Sequence, residues 1–455
     1  MHRLGRTVLA LLLLATTAAT AARSQSLDYG MWRADGTVYA MARSGNTLYL
    51  GGTFTGLSPN TGSAARTDLS GQVQLPFPHI DGQVAAMAAD GAGGWYVGGG
   101  LLTIGDVQRS GLVHVNPDGS LDPTEFSPSA FVTSLVVTPT TLYVGGTFWE
   151  MGGAARTNLA ALDRATGLAT SWAPEPDQQV QCMQLVGGVM YVGGSFTTLG
   201  GQPRANAGAV STATGLATAW DPNADFTVYA LAVDGSTVYL GGAFSNLGGQ
   251  PRSYIGACNA TTGAVTSWNP SASFFVYSLA ASGATVYAGG YFATIGGQTR
   301  QGVAALSAAT GLATAWNANC DGGAYAIALA GSSLYVVGSF SGLGGQSRPF
   351  AGAVDVTTGL ATGWNPGPNG IANTVTPYGT AVGLGGAFNS AGKVLRNRIA
   401  AIDLTTGQPT TWNPNADNIV YTLAVNGTTV YAGGEFTNIG GASRNKLAAL
   451  SARPV

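Results

Sequence analysis

Few residues in this chain could do chemistry. Histidine occurs only at His2, His79 and His114, and glutamate only at Glu125, Glu150, Glu175 and Glu435. A transition-metal site needs several His or Cys side chains close together, and the sequence writes no such cluster. Asp118 and Asp122 could approach a calcium ion, but the further oxygen ligands of a dedicated loop do not follow them. A carboxylate pair of the glycosidase kind could form across distant segments, yet no pair stands out, and no Gly-x-Ser-x-Gly elbow appears. No catalytic residue, cofactor site or metal site is therefore assigned.

Binding chemistry is better represented. An arginine recurs at Arg109, Arg156, Arg204, Arg252, Arg300, Arg348, Arg396 and Arg444. A ring of guanidinium groups could bind acidic glycans or phosphates, but one identical residue per repeat is what a task local to each repeat requires. The expected role is structural: each Arg holds its own loop through backbone carbonyls and an Asp such as Asp163, Asp355 or Asp403. Tryptophans recur as Trp172, Trp220, Trp268, Trp316, Trp364 and Trp412, and read as packing residues, with sugar stacking as the alternative. A ligand without the symmetry of the repeat needs asymmetric contacts, so departures from the pattern are the candidates for a specific site. These are Trp149 and Glu150 in "TFWEMGG", Trp95 in place of an aliphatic residue, and an enlarged first loop around Ser58 to Ser63.

The elements that position these residues follow from a period. The tyrosine of Tyr-x-Gly-Gly stands at Tyr49, Tyr96, Tyr143, Tyr191, Tyr239, Tyr287, Tyr335 and Tyr431, with Gly383 in its place in the eighth copy. The spacing is 47 twice and then 48 throughout, and the arginine follows thirteen residues later in every copy but the first. The first copy inserts four residues in "TGLSPNTGSAAR" and delays its equivalent to Arg66. A constant period of this size marks a repeat architecture.

Each copy divides into four short strand signals. In the fifth, "TVYALAV" and "TVYLGGAF" flank Asp234-Gly235, a dipeptide suited to the positive φ of a tight hairpin. Two further runs flank Thr262-Gly263, and Thr-Gly returns in most copies, at Thr406-Gly407 among others. From Tyr239 to Phe244 one face offers Tyr239, Gly241 and Ala243, the other Leu240, Gly242 and Phe244. Neither face is polar, so each sheet needs a neighbour on both sides. Stacking small sheets around an axis provides this, and the mid-strand glycines admit close approach of neighbouring backbones. No helix start follows the glycines, which argues against a phosphate cradle.

The expected fold is all-β: a single β-propeller of four-stranded antiparallel blades, about nine repeats of 48 residues, over residues 26–455. The last copy stops after its third strand, and residues 26 to 32 with Trp32 offer a replacement, so closure by strands from both termini is expected. An open arc, or a ring with one degenerate repeat outside, is the alternative.

The pattern Tyr-x-Gly-Gly-x-Phe, Gly-Gly-x-x-Arg, Ala-Ala-Leu-Asp, Thr-Gly and Trp-Asn-Pro resembles the propeller repeats of bacterial secreted delta-60 repeat proteins and of fungal cortical polarity-marker propellers. "HVNPDGSLDPTEF", His114 to Phe126, is especially similar to the delta-60 repeat. Kelch repeats match less well in the placing of their glycine pair. The resemblance implies a fold and an exported location, and carries no catalytic residues.

Composition sets the remaining bounds. The net charge is −2, charged residues are 9% and hydrophobic residues 45%. Nothing clusters Lys and Arg as nucleic acid or an anionic membrane would require. Residues 1–22, with Arg3, Arg6, "TVLALLLLATTAATA" and Ala19-Thr20-Ala21, read as a cleaved signal peptide, and no later run could span a bilayer. Cys182, Cys258 and Cys320 fall at non-equivalent places in three repeats, the first two at small or apolar positions, and are expected as free thiols. We expect a secreted or periplasmic monomer that is a non-enzymatic scaffold or recognition surface for protein or glycan. The alternative is an extracellular glycan lyase or hydrolase acting at the propeller mouth.

Overall fold

The sheets are built from the hairpins the sequence announces. In the fifth copy the inner strand Val228–Asp234 pairs antiparallel with the middle strand Thr237–Gly242, which pairs with the third strand Ile255–Asn259. This three-strand unit recurs along the computed structural model, which describes residues 31–105, 107–403 and 408–452. The described residues form strands and turns without α-helix. Residues 1–22, the start of the 26 to 32 segment and Thr406-Gly407 lie outside them.

The four-stranded blade needs correction. The Thr-Gly turn is followed by a single bridge, Cys258 to Val265 in the fifth copy, where Thr266 N–H donates to Ala257 O at 2.8 Å. The fourth strand is this one contact, because the chain turns away at Trp268 to pack elsewhere. The Gly-Gly-x-x-Arg loop forms a separate two-stranded arm, Asn246–Leu247 with Gln250–Pro251. Gly248 and Gly249 turn it at φ of 51° and 74°, a left-handed pair that glycine adopts without steric cost.

Sheet stacking follows the two apolar faces. The forward face of one sheet, with Tyr191, Ala207 and Ala209, packs on the rear face of the next, with Val228, Leu231, Val238 and Leu240. A Cβ on Gly241 would lie 2.6 Å from Val276 Cγ1 of the following sheet, so the glycine permits this approach. Trp268, Trp220 and their counterparts are buried, lie edge-on to the marking tyrosine, and donate Nε1–H to the next sheet's third strand. Trp220 to Asn259 O, at 3.1 Å, is typical.

Ring size differs from expectation. The inner strands of copies two to eight contact one another in a cycle: Val84–Ala89, Phe131–Val137, Val180–Val186, Val228–Asp234, Val276–Ser282, Gly323–Ala330, Ala372–Tyr378 and back to Val84–Ala89. At the closing seam Thr376 Oγ1–H donates to Met87 O at 2.7 Å and Tyr378 O–H to Gly91 O at 2.9 Å. Seven sheets therefore make the ring, and the sheets of copies one and nine pack on each other as a separate pair.

Both bodies are completed by an exchange. Ala64–Asp68 of the first copy is the third strand of the eighth sheet, while Ile399–Asp403 of the eighth copy is the third strand of the first. Trp364 accordingly donates to Thr67 Oγ1 at 3.0 Å, and Tyr49 lies edge-on to Trp412. The arms are exchanged too, since Gly56–Ser58 pairs with Val394–Leu395. The four inserted residues of the first copy lie in the stretch that crosses between the bodies, where Ser58, Thr61 and Ser63 are buried. Closure of a nine-sheet ring at the last copy is thus replaced by closure between copies eight and two. Trp32 packs against Leu50, Phe54 and Leu57 of the first copy, not on the last sheet.

Candidate functional site

One irregularity repeated in every sheet builds the candidate site. Inner and middle strands lose register at the second inner residue: Val228 opposes Gly242 and Ala230 opposes Gly241, leaving Tyr229 without a partner. The same bulge isolates Ala85, Thr133, Gln181, Tyr277, Tyr325 and Asn373. A β-bulge bends its strand and re-aims a side chain, and here it does so on the strands nearest the ring axis. Seven equivalent positions therefore form one level around the channel.

The level is not symmetric. Copies five, six and seven place Tyr229, Tyr277 and Tyr325 side by side, with ring centroids 5.4 Å and 5.8 Å apart. The other four positions carry small or amide side chains; Thr133 donates to Val180 O and Asn373 Nδ2–H to Val84 O, each across a seam. Phe275 lies 6.2 Å from both Tyr229 and Tyr277 and stacks on Phe274 at 4.1 Å. Tyr254 closes on Phe275 at 5.6 Å. Phe274 and Tyr291 remain exposed at the edge of this patch. Packed rings with such exposure leave π faces open for a ligand while their bodies are held in place.

Electrostatics keeps the patch neutral. Burial raises the phenols of Tyr229 and Tyr277 above their ordinary value, and for Tyr277 the neighbouring phenols add to this. Both stay protonated at neutral pH. The Tyr229, Tyr277 and Tyr325 hydroxyls make no hydrogen bond to another described residue. Asp225 and Asp321 flank the patch but are engaged: Asp225 accepts Ser245 N–H at 2.8 Å and Asn246 N–H at 3.0 Å, and Asp321 accepts Ser341 N–H at 2.8 Å. Burial pushes each carboxyl up, and these bonds outweigh it and hold each below its ordinary value.

The residues singled out from sequence fall elsewhere. Trp149 is 66% exposed on the arm of the third copy, with its backbone N–H on Ser129 Oγ at 2.9 Å, and Glu150 is exposed beside it. The two share one arm, but the fold does not bring them to the tyrosines. Trp95 is 1% exposed in the seam between the eighth and second sheets, out of reach of a ligand.

The recurring arginines bind carbonyls, and Arg204 also lies 3.8 Å from Asp221. Arg252 Nη1–H donates to Pro251 O at 2.7 Å and Nη2–H to Thr266 O at 2.6 Å; Arg156, Arg204, Arg300, Arg348 and Arg396 repeat both contacts. Arg444 makes the first contact, and Arg109 pairs with Glu125 at 3.5 Å and donates to Gln108 O. Asp163 and Asp355 instead accept N–H groups of the Thr-Gly turn, such as Thr166 and Thr358. The three cysteines are free, and burial pushes their thiols up to about 12.

One charged cluster lies at the opposite hairpin end of the second sheet. The His114 ring stacks on Tyr96 at 4.4 Å, with Nδ1 3.0 Å from Asp122 and Nε2 3.1 Å from Asp90. A neighbouring cleft of about 500 Å³ is lined by Asp90, Thr138, Arg164 and Tyr378. Arg164 donates into Tyr96 Oη, Thr138 O, Pro139 O and Asp90 O, so its hydrogen bonds hold the cleft walls together.

The tyrosine arc was missed because each Tyr in "VYALAV", "VYSLAA" and "AYAIAL" looks like ordinary strand alternation. Aligning the copies at that one column is the signal, but the column also holds Tyr39 and Tyr421 in copies one and nine, so only the seven-sheet ring sets Tyr229, Tyr277 and Tyr325 apart, beside Ala85, Thr133, Gln181 and Asn373.

A family model described as "Domain of unknown function (DUF5122) beta-propeller" matches residues 93–124, which include the His114 and Asp122 strand and turn of the second sheet. Among solved structures, the chain is similar to the computationally designed Ika8 protein, with TM-score 0.50 and 14% identity over 79% of this chain and 96% of that one. It is also similar to the WD40 beta propeller domain of Doa1, with TM-score 0.46 and 11% identity over 70% of this chain and 97% of that one. No curated protein matches the chain. The all-β architecture of small antiparallel sheets is that of a propeller, and no described helix is long and apolar enough to cross a membrane.

Proposed function

We propose that this chain is an exported, non-enzymatic β-propeller that recognises a neutral glycan at the channel mouth of its fifth to seventh sheets. The observation that carries the reading is the row Tyr229, Tyr277 and Tyr325, held by identical bulges and continued outward by Phe275, Phe274 and Tyr291. The C–H face of a pyranose bears partial positive charge and meets the negative face of an aromatic ring, while its hydroxyls suit neutral phenols. An acidic glycan would require cations, and the Arg252 and Arg300 guanidinium groups are spent on backbone carbonyls.

The carboxyls whose shift is resolved do not suit the acid of a glycosidase. Asp35, Asp68, Asp90, Asp122, Asp177, Asp225, Asp321 and Asp417 are all held below their ordinary value. A glycosidase acid needs a carboxyl raised toward neutrality. Export rests on residues 1–22, and recovery of the chain in the cytoplasm with that segment intact would refute it.

The binding test is a neutral-glycan array probed with wild type and Tyr277→Ala. Loss of the central ring removes stacking worth about 1.4 kcal/mol, so affinity falls about tenfold. Unchanged binding by Tyr277→Ala and Tyr229→Ala, or turnover of a polysaccharide, overturns the reading.

A further inference from the structure

Among the described residues, seven of the forward faces are covered by the next sheet of the ring, and the first copy's by the ninth. The ninth sheet's is not. Tyr431 is 44% and Leu447 68% exposed, whereas their equivalents in the fifth sheet, Tyr239 and Ile255, are 5% and 0%. Gly433, whose counterpart Gly241 abuts Val276 of the following sheet, meets side-chain atoms only of Thr422 in its own sheet. The face keeps the residue types of a seam, so its sequence still encodes a neighbour.

The matching half is in the same chain. On the rear face of the first sheet Leu50, Ala400 and Ile402 are covered by Trp32 and the first copy's own arm, while the inner-strand part of that face stays open among the described residues. Met41, at the position of Leu231, Leu279 and Ile327, is 67% exposed where those are 9%, 8% and 7%. We infer that the chain self-associates head to tail, the forward face of the ninth sheet docking on the rear face of a second copy's first sheet. The occupant is argued from continuity: the contact required is the one the chain already makes between successive copies. Even the polar detail carries over, because Asp234 accepts Gly283 N–H across one internal seam at 2.9 Å. Asn426 and Gly45 hold those two positions at the open faces. An interface between unlike patches closes into a ring of copies or extends as a filament, depending on its rotation. This goes beyond glycan recognition and does not depend on it.

The test is light scattering after size exclusion across a concentration series, with Tyr431→Arg and Met41→Arg. Wild type is expected above monomer mass, and each variant alone is expected as monomer. An equal mixture of the two gives a dimer and nothing larger, since one front and one rear remain. Leu447→Arg replaces Tyr431→Arg if the latter melts below wild type. A wild type that stays monomeric throughout overturns the inference. So does a Met41→Arg variant that assembles like wild type, which would mean front-to-front pairing.

Discussion

Trp95 fills the space above Gly383. A Cβ on Gly383 would lie 2.5 Å from Trp95 Cζ3, and the indole is 1% exposed between the second and eighth sheets. The other ring seams pair a marking tyrosine with Val, Leu or Met, as Tyr191 with Val238 and Tyr143 with Met190. Here the large side chain comes from the other sheet, and the seam volume is kept.

Exchanging the sizes back should therefore couple. Gly383→Tyr alone overpacks the seam and costs about 2 kcal/mol, and Trp95→Val alone opens a cavity and costs about 3 kcal/mol. The double variant is expected to lose at least about 1 kcal/mol less than the sum, as neighbours in contact do. Chemical denaturation measures all three, and strict additivity would contradict the pairing.

The strand exchange can be read by cross-linking. Asp68 opposes Ala381 in the eighth sheet, and Thr47 opposes Asp403 in the first. Cysteines at 68 and 381 are expected to form a disulfide on oxidation. Cysteines at 47 and 68, which would be opposite if the first copy kept its own strand, are expected to stay reduced. Peptide mapping by mass spectrometry distinguishes the two.

Arg252 is 7% exposed and its two carbonyl bonds tie the arm to the Thr-Gly segment. Arg252→Met removes both charge-assisted bonds and leaves the carbonyls unpaired, a loss of about 3 kcal/mol. Arg252→Lys, with a single ammonium in place of a fork, should recover part of it. A thermal melt unchanged in Arg252→Met would show that the residue does not hold the arm.

Acid should loosen the fold at the second sheet. Burial pushes Asp90 upward, but N–H donors at Ala92 and Gly94 and the His114 ring outweigh it, so its carboxyl ionises more readily folded than unfolded. Asp122 is lowered in the same way by Thr124 and His114. Such groups contribute stability above the unfolded value of about 3.9, and that stability is lost as pH falls through the native value. The melting temperature is expected to drop below about pH 4, and less steeply in Asp90→Asn. Parallel profiles for the two proteins would remove Asp90 from the account.

Why Gly-Gly and Arg recur is legible from sequence in kind but not in every partner. The glycine columns announced close approach, and Gly241 against Val276 is that approach. The arginine column announced a local task with backbone carbonyls and an Asp as partners; the carbonyls are its partners, whereas Asp163 and Asp355 are committed to their turns. Trp95 read as a ligand platform because an aromatic in an aliphatic column looks like function when its partner, Gly383, is out of view.

By itself the sequence determined the repeat, the hairpins and the two-faced apolar sheets, since these depend on alternation and turn chemistry within some fifty residues. Only the tertiary structure decided that seven sheets close rather than nine, and that the first and eighth copies trade third strands. It also decided that three bulged tyrosines share one stretch of the channel. The reason is physical: the third strands Ala64–Asp68 and Ile399–Asp403 are nearly interchangeable as partners, so local preference is the same either way. The choice is made by how many sheets fit around one axis and by the volume that Trp95 must share with Gly383.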